Sequence, residues 1–378
     1  MTIERVRYRD SQWQIEENIV DKNSVDLVFS FGDRETIKDK KVFKKLRMLY
    51  PSAQIVGCSS SGNILDDSIS EESMIATAIS FETGSVSISV EDFSEQDDQY
   101  DISQKLIKKL PTEGLKHLFI LSDGLNMNGS SLAKGANDAL DGVDVSITGG
   151  LAGDGIAFEE TWVIANEEAK ENRVVAVGFY GESISVESGC SAGWKEFGIL
   201  RKITKSTGNI VYEIDGEPAL ELYKKYLGEY ANDLPSSALN FPMSIKKNRK
   251  DEAIIRSVLG IDEAHQALIF AGDVPEGYLA RLMKTNIDGL IDGSEIAAKQ
   301  IAKINNKDAL GLVVSCVGRR IMLKQLTDEE LECIALTLGE SVQLVGFYSY
   351  GELAPFSNEL PSCSLHNQTM TLTVVYED

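Results

Sequence analysis

The stretch VGFYSYGELAP, Val345 to Pro355, begins with apolar residues and ends with polar ones and a glycine. Strands that are buried on both faces read as continuous apolar runs, so this change of character marks the end of such a strand. The pattern predicts a buried strand at Val345–Phe347 and a ligand-facing loop at Tyr348–Glu352. Similar stretches occur twice more in the chain, as VGCSSSGN (56–63) and ITGGLAGD (147–154).

Each of these stretches is the second strand of a predicted β-α-β unit. The first strands read VDLVFSFGD (25–33), KHLFILSDG (116–124) and ALGLVVSCVGRR (309–320), and each precedes a helix with one apolar face. In every unit a strand serine is followed by a glycine, and the second loop closes on another glycine. These sets are Ser30, Gly32 and Gly62; Ser122, Gly124 and Gly153; and Ser315, Gly318 and Gly351. The similar spacing indicates an internal duplication, with chance similarity as the alternative.

These units predict an α/β fold, with α+β as the alternative, in which repeated β-α-β-β units form mixed, largely parallel sheets. The length of 378 residues suggests two or three domains, and we expect an N-terminal module at 1–205 and a C-terminal module at 206–378. The alternating runs at 73–81 and 85–93 predict a hairpin. The third helix is predicted to begin at Thr327, with Glu330 forming a capping box.

The composition argues against several classes of partner. The chain has 59 acidic and 37 basic residues, and its net charge of −22 disfavours binding to nucleic acid and to anionic membrane surfaces. No apolar run approaches the ~20 residues of a membrane span, and the polar N-terminal stretch lacks the apolar core of a signal peptide. Five cysteines fit a reducing compartment better than a disulfide scaffold, so we expect a cytoplasmic protein.

The candidate binding site is formed by the loops at the strand ends. Ligands of open parallel sheets bind beyond the carboxyl ends of the strands, where all of these loops lie. Glycines there let the backbone approach a ligand, and serines and tyrosines add directional hydrogen bonds. The alternative is that the glycines only permit turns and the serines only cap helices. The predicted ligand-binding residues are Cys58, Ser59, Ser61, Gly62, Gly149, Gly150, Gly153, Asp154, Arg319, Arg320, Tyr348, Ser349, Tyr350 and Glu352.

Two neighbouring arginines are the candidate anchor for a ligand. Arg319 and Arg320 follow a buried strand and a glycine, where a guanidinium can hold a carboxylate through two hydrogen bonds. Asp154 and Glu352 are candidates for pairing with an ammonium group. An intramolecular bridge between arginine and glutamate across the rim is the alternative use of these charges.

Signatures of catalysis are missing from the sequence. The chain has no phosphate-binding loop, no GxGxxG, no HExxH and no CxxC motif, and Ser61 stands where a nucleophile elbow requires glycine. No metal-binding partner lies at a fixed spacing from any of the three histidines, which are His117, His265 and His366. A nearby arginine or helix N-terminus can activate Cys58 or Cys316, but free cysteines are more often inert and buried. We therefore expect no catalytic residue and no metal site, and keep a cysteine-dependent enzyme acting on a small carboxylate as an alternative.

Eight stretches of the chain resemble, in this order, motifs of the FIST sensory-domain family, from both its N-terminal and its C-terminal module. They are VGCSSSGNI, LSDGLNMNGSSLAKG, TGGLAGDG, VYEIDGEPAL, FAGDVPEG, SCVGRR, GFYSYGELAP and LHNQTMTL, within residues 25–376. The resemblance implies a bacterial intracellular sensor that binds a small ligand, such as an amino acid or a similar carboxylate, without catalysis of its own. It also implies that a separate partner, such as the histidine kinase of a two-component system, carries the output.

The resemblance leaves haem as the alternative to a sensor without a cofactor. Some stand-alone members of the family are described as haem-binding nitric-oxide sensors that regulate a histidine kinase. A haem sensor needs an axial ligand, commonly histidine. Many relatives have histidine where this chain has Asn126, and no axial ligand is assigned to any of its three histidines.

Overall fold

The computed structural model describes residues 1–16, 20–70, 73–301, 308–357 and 360–378. It consists of a large body with three mixed β-sheets and a smaller unit with a fourth sheet. The body draws on both ends of the chain, and the smaller unit is inserted between Ser191 and Ile287. None of the described helices is long and apolar enough to cross a membrane.

The body contains three sheets of six strands each. The first has, in spatial order, β11 (Val163–Ala165), β4 (Gln54–Ser59), β3 (Leu27–Gly32), β7 (Met74–Ser80), β1 (Thr2–Arg9) and β2 (Gln12–Ile15). The second has β25 (Leu360–His366), β24 (Gly351–Ser357), β10 (Ser146–Leu151), β9 (Leu115–Ser122), β12 (Arg173–Tyr180) and β8 (Ser85–Asp92). The third has β13 (Ile184–Ser191), β26 (Met370–Glu377), β22 (Ala309–Cys316), β23 (Val342–Ser349), β5 (Asn63–Leu65) and β6 (Ser68–Ser70).

Each of these sheets contains one parallel pair, and these pairs are β3–β4, β9–β10 and β22–β23. The other described pairs are antiparallel, so the predicted α/β class with mixed sheets is confirmed, whereas the prediction that the sheets are largely parallel is wrong. The helices that connect the parallel strands are α2 (Lys40–Leu49), α4 (Gly129–Ala139) and α8 (Thr327–Leu338), with the short helices α1 (Arg34–Ile37) and α7 (Val317–Leu323) before the first and third of them. Helices α3 (Gln99–Lys108) and α6 (Ile287–Lys299) precede the second and third units, and a 3-10 turn at Lys324–Leu326 precedes α8.

The strand that follows each parallel pair leaves its own unit and joins the sheet of another. Strand β5 leaves the first unit and pairs with β23, β11 leaves the second and pairs with β4, and β24 leaves the third and pairs with β10. This exchange is cyclic, so each unit completes the sheet of a neighbour. The three units that the sequence predicts are therefore present, and they are interlocked in one body.

The same glycine position recurs in the second strand of every unit, at Gly57, Gly149 and Gly346. A Cβ atom at these positions would lie within 2.0 Å of a carbonyl oxygen of the first strand. Those oxygens belong to Ser30, Ile120 and Val313. The strand register therefore makes Ser30 equivalent to Ile120, and the predicted alignment of Ser30 with Ser122 and Ser315 is wrong.

Alternate side chains of the strands enter two different cores. One face of every sheet contributes to a common central core, with Phe29 from β3, Phe119 from β9 and Leu312 from β22. The opposite faces pack against the helices in three outer cores. Phe31 and Phe347 stack across the central core with 4.8 Å between their ring centroids. Because both faces of these strands are buried, their sequences are continuously apolar.

The smaller unit has a core of its own. Its elements are β14 (Lys195–Thr207), β15 (Ile210–Ile214), β16 (Glu217–Pro218), α5 (Ala219–Leu227), β17 (Met243–Lys246), β18 (Ile254–Arg256), β19 (Val258–Asp262), β20 (Ala267–Phe270) and β21 (Leu279–Lys284), with 3-10 helices at Gly228–Asp233 and Ser236–Asn240. Lys195 lies opposite Lys284, where the chain passes into and out of this unit. The predicted division at Ser206 falls inside β14, so the packing does not follow the modules 1–205 and 206–378.

Two local predictions are wrong. Strands β7 and β8 do not form a hairpin, because β7 pairs with β1 and β3 in the first sheet, whereas β8 pairs with β12 in the second. Helix α8 begins at Thr327 as predicted, but Leu326 occupies its N-cap and no side chain caps it. Glu330 is fully buried and forms no capping box.

We expect Gly346→Ala to destabilise the protein strongly, because the new Cβ would lie 1.8 Å from the carbonyl oxygen of Val313. Overpacking of this kind should lower the free energy of unfolding by about 3 kcal/mol or more. Urea unfolding followed by circular dichroism measures the effect. Gly260→Ala is the control, because the nearest atoms to its Cβ lie 3.6 Å away, and equal losses in both variants would contradict the close-approach argument.

Candidate functional site

The loops that follow the second strands are joined by a ring of three backbone hydrogen bonds, which we call the rim ring. In each bond the amide of one loop donates to a carbonyl oxygen of the next loop. The bonds run from Ser61 to Tyr348 over 2.8 Å, from Gly153 to Ser59 over 3.0 Å, and from Tyr350 to Leu151 over 3.1 Å. The predicted ligand-facing loops of the three units therefore meet at one rim.

A cavity of about 460 Å³ opens beside the rim ring, and we call it the rim pocket. Four of the predicted residues line it: Ser61, Gly62, Asp154 and Arg320. The residues that complete it are Asp33, Arg34, Glu35, Ser60, Asn63, Ile69, Ser70, Ser73 and Gly155. All three units thus contribute to one polar cavity.

Arg320 is the cation of the rim pocket without an acidic partner. Its guanidinium donates a hydrogen bond to the carbonyl oxygen of Ser61 and lies 5.8 Å from the centroid of the Tyr348 ring. Among the described residues it forms no ion pair with a carboxylate. Arg34 differs, because it pairs with Asp154 and with Glu159. Arg320 therefore retains donors that can receive an anionic group.

Asp154 is already saturated with donors. Its carboxylate accepts hydrogen bonds from the backbone amides of Phe158 and Glu159, both over 2.9 Å, and from the Tyr350 hydroxyl. It also pairs with Arg34. Burial acts to raise the pKa of this carboxyl, but the hydrogen bonds outweigh it and hold the pKa below its ordinary value. Asp154 thus organises the wall of the pocket and has little capacity left for a ligand ammonium group.

Arg319 lies in a buried ion pair and lines no cavity. Its Nη2 is 2.8 Å from Oε2 of Glu330, and both side chains are fully buried. The guanidinium also donates to the carbonyl oxygens of Ala192 and Leu290, over 2.8 and 2.7 Å. The Tyr348 hydroxyl donates to Glu330 from the other side, over 2.7 Å. For Arg319, the intramolecular bridge considered as an alternative is the arrangement that the structure has.

Glu352 is a fully buried acid with polar neighbours. It accepts hydrogen bonds from the hydroxyl of Ser349 over 2.7 Å and from the hydroxyl and amide of Thr369 over 2.8 and 3.1 Å. Burial raises the pKa of its carboxyl to about 7, although these hydrogen bonds act in the opposite direction. The side chain does not line the rim pocket, so it is placed for a role inside the fold.

A second cavity, of about 340 Å³, lies between the body and the smaller unit, and we call it the cleft. Tyr350 lines it, and so does Cys316, which the sequence singles out as a possible nucleophile. The ring of Tyr350 stacks on Phe158 with 4.4 Å between centroids. Since the Tyr350 hydroxyl bonds to Asp154, this tyrosine separates the cleft from the rim pocket.

The remaining predicted residues are buried at the rim and line neither cavity. The Ser59 hydroxyl accepts a hydrogen bond from the backbone amide of Trp162. Gly149 and Gly150 provide space for β9 and for the side chain of Val314. The other members of this group are Cys58, Gly153, Arg319, Tyr348, Ser349 and Glu352. Among the described residues, no cluster of acids, histidines and cysteines is suited to hold a metal ion.

Sequence reasoning missed several residues that line the cavities. Arg34 directly follows the first buried strand, and Ser60 lies between two predicted residues, so position alone could have included both. Ser257 and Phe158 have no such signal, because each comes from a segment remote in sequence from the strand ends that it faces.

We expect Glu352→Gln to change how stability depends on pH. The folded-state pKa is raised from 4.5 to about 7, so Glu352 stabilises the fold fully below about pH 4.5 and loses that contribution as pH rises through 7. The loss amounts to roughly 3 kcal/mol. Burial lowers the pKa of His117 to about 3 and of His366 to about 4, so these two histidines make the free energy of unfolding rise with pH. Because both proteins contain them, the difference between the wild type and Glu352→Gln isolates the effect of Glu352.

Urea unfolding of the wild type and of Glu352→Gln from pH 5 to 8 measures this difference, with the exposed Glu340→Gln as control. The wild type should lose stability relative to Glu352→Gln as pH rises. Parallel pH profiles for these two proteins would contradict the assignment of a proton to Glu352.

Two family models together match most of the chain. The FIST N domain matches residues 26–217 and the FIST C domain matches residues 219–355. An uncharacterized protein of Methanocaldococcus jannaschii is 23% identical over 360 residues, which cover 86% of this chain and 69% of that protein. The crystal structure of a cyanuric acid hydrolase from A. caulinodans aligns with a TM-score of 0.38 and 8% identity over 95% of this chain and 91% of that one, too distant to support an inference. FIST domains are generally sensor domains of signal transduction that bind small ligands, and this chain belongs to the FIST family.

Proposed function

We propose that this protein is a cytoplasmic sensor that binds a small carboxylate in the rim pocket and signals through a separate partner protein. Amino acids and similar small carboxylates are the proposed ligands, and a histidine kinase is the proposed kind of partner. The single observation that carries the proposal is Arg320, a cation that lines the pocket without an acidic partner among the described residues.

An unpaired arginine in a partly enclosed pocket favours an anion. A guanidinium presents several donors in one plane, and a carboxylate can accept two of them in parallel. Among the described residues, the Arg320 side chain makes one hydrogen bond, to the Ser61 carbonyl oxygen. Asp33, Glu35 and Asp154 also line the pocket, so the attraction for an anion is local to Arg320, in a protein whose net charge is −22.

The groups around Arg320 suit the rest of a small polar ligand. Ser60 and Ser61 line the pocket beside it, and their hydroxyls can donate or accept hydrogen bonds. Glu35 also lines the pocket, but its largely exposed carboxylate already pairs with Lys38 and with Arg34, so an α-amino group would have to compete for it. The pocket thus offers a clearer partner for the carboxylate of a ligand than for its amino group. The proposed class of ligands therefore includes carboxylates without an amino group.

The geometry does not favour haem. No histidine is among the described residues that line the rim pocket or the cleft. His117 is fully buried with both ring nitrogens bonded to hydroxyls, and His366 is buried against the carbonyl oxygen of Ala354. His265 is bonded to Asp262 at the surface. We therefore place the proposed sensing chemistry at the rim pocket.

A cysteine-dependent enzyme is also less favoured. Cys58 is fully buried, and burial raises the pKa of its thiol well above the ordinary value. Cys316 lines the cleft, and burial raises its pKa as well. A thiol acts as a nucleophile through its thiolate, which both environments disfavour.

We expect Arg320→Gln to weaken carboxylate binding while leaving the fold intact, because Arg320 forms no ion pair with any residue that the structure describes. The loss of hydrogen bonds to a charged group corresponds to a decrease in affinity of about ten-fold or more. Thermal shift with a panel of common amino acids and simple dicarboxylates identifies a ligand, and titration calorimetry then measures the Kd of each variant.

Arg249→Gln is the matched control, because Arg249 is exposed in a loop of the smaller unit. The control should keep the affinity of the wild type, and both variants should melt at the same temperature without ligand. A carboxylate that binds Arg320→Gln as tightly as the wild type would refute the proposed anchor, and so would a wild type that binds no carboxylate of the panel.

A further inference from the structure

The walls of the cleft are electrically neutral. None of the described residues that line it is an aspartate, glutamate, lysine, arginine or histidine, in a chain of which 25% is charged. The buried guanidinium of Arg256 lies behind the wall, but its donors are bonded to the carbonyl oxygens of Asp273 and Leu365. Moving a charged group from water into such a site is costly without a partner. The cleft therefore favours an uncharged ligand.

One buried hydroxyl of the cleft has no partner. Ser257 is 3% exposed and lines the cavity, and its Oγ forms no hydrogen bond with any described residue. Its backbone groups are engaged, since its amide donates to Asn367 and its carbonyl oxygen accepts from Ala271. Buried polar groups in folded proteins are nearly always paired, so this free hydroxyl in a residue of the cavity wall leaves a donor and an acceptor that a bound water or a ligand can engage.

A second unpartnered atom lies just behind the same wall. Gln368 is fully buried, and its Oε1 has no hydrogen-bond partner among the described residues. Its Nε2 donates to the carbonyl oxygen of Leu239, a residue that lines the cleft from the smaller unit. The backbone of Gln368 has a φ of 62°, in the left-handed region that costs energy for a residue other than glycine. Strained and unsatisfied groups of this kind concentrate at binding sites.

The opposite wall is aromatic. The rings of Phe158 and Tyr350 stack nearly in parallel, with an interplanar angle of 12°. Phe158 is 42% exposed, and Leu259 across the cleft is 47% exposed, although both are large apolar residues. The volume of about 340 Å³ lies at the lower end of the range for small-molecule sites, ~300–1,000 Å³. A flat apolar ring would cover these exposed surfaces.

From these observations we infer that the cleft is a second ligand site, which takes an uncharged aromatic compound with hydrogen-bonding groups at its edge. The aromatic amides are the simplest members of this class. Ser257 bonds to the edge of the ligand, while Phe158, Tyr350 and Leu259 contact its faces. The site is separate from the proposed carboxylate site, because Ser257 and Arg320 line different cavities.

Matched pairs of compounds that differ in charge test this inference. Nicotinamide and benzamide are uncharged, whereas nicotinate and benzoate have nearly the same shape and a negative charge. Methyl NMR of the full chain locates binding, since Met127 and Leu259 report on the cleft and Ile69 reports on the rim pocket. We expect an amide to shift the signals of Met127 and Leu259 but not that of Ile69, and its carboxylate counterpart to bind the cleft at least ten-fold more weakly.

Two substitutions separate binding from folding. Ser257→Ala removes a hydroxyl without a protein partner, so stability in urea should stay the same or rise, while the Kd of the amide should increase roughly five-fold. Leu259→Asp places a charge at the exposed edge of the cleft and should abolish binding of the amide. The exposed Ser236→Ala in the same unit is the control for binding and should leave the Kd of the amide unchanged.

Several results would overturn the inference. One is the absence of any shift at Met127 and Leu259 with either amide, and another is equal binding of the carboxylate counterparts in the cleft. An unchanged Kd in Ser257→Ala would remove the hydroxyl from the site. A clear loss of stability in that variant would show that the hydroxyl serves the fold instead.

Discussion

Three backbone hydrogen bonds at the rim, each from the loop of one unit to the loop of the next, constrain the whole body of this protein. A loop reaches its neighbour because the strand after it crosses into another sheet, as β5, β11 and β24 do. Every second strand then lies between its own first strand and an exchanged strand. At the recurring glycine, the exchanged strand places a bulky side chain opposite, which is Ile164, Leu353 or Ile64. Small and large residues thus alternate across the sheet where it is most crowded.

The rim ring also explains why charged groups are buried near it. Glu352 lies on the exchanged strand β24 directly opposite Gly150, so the crossing carries an acid into the interior. Arg319 and Glu330 are buried together beneath the third unit. A buried ion pair is weak as a source of stability, but the loss of one partner leaves a charge that is very costly. These groups therefore fix the positions of the loops more than they strengthen the fold.

The two cavities share one contact. Tyr350 lines the cleft, and its hydroxyl bonds to Asp154, which lines the rim pocket. Asp154 in turn holds Arg34 and the amides of the segment that includes Phe158. If both proposed sites bind ligands, a displacement of the Tyr350 ring would alter the hydrogen bonds of Asp154, and a ligand of the rim pocket would act on the same carboxylate. Coupling of this kind is reciprocal between two sites.

Apolar runs predicted much of the fold, because strands buried on both faces have continuous apolar sequences, as Leu27–Phe31 and Leu310–Val314 show. The exchange of strands could not be predicted, since no local pattern shows which sheet a short strand such as Asn63–Leu65 joins. For the same reason, the prediction that β7 and β8 form a hairpin is wrong, since their sequences do not show that they join different sheets. Within the site, the adjacent residues Arg319 and Arg320 have different environments, which the sequence does not reveal. The third unit buries Arg319 against Glu330, whereas Arg320 lines the rim pocket.

The smaller unit is held at two places of different character. Where it joins the body, Gly193 has a φ of 71°, and a Cβ there would lie 1.8 Å from the carbonyl oxygen of Gly289, so the two connecting segments touch without intervening side chains. Across the cleft the contacts are polar, such as the bond from Arg256 to the Leu365 carbonyl oxygen and that from Asn128 to Asp273. Polar interfaces between domains permit relative motion more readily than large apolar ones. Because the cleft lies between these polar contacts, a ligand bound there adds contacts to both units at once. If the cleft binds a ligand as proposed, its occupancy would be linked to the position of the smaller unit, which is a property that a sensor can use to transmit binding.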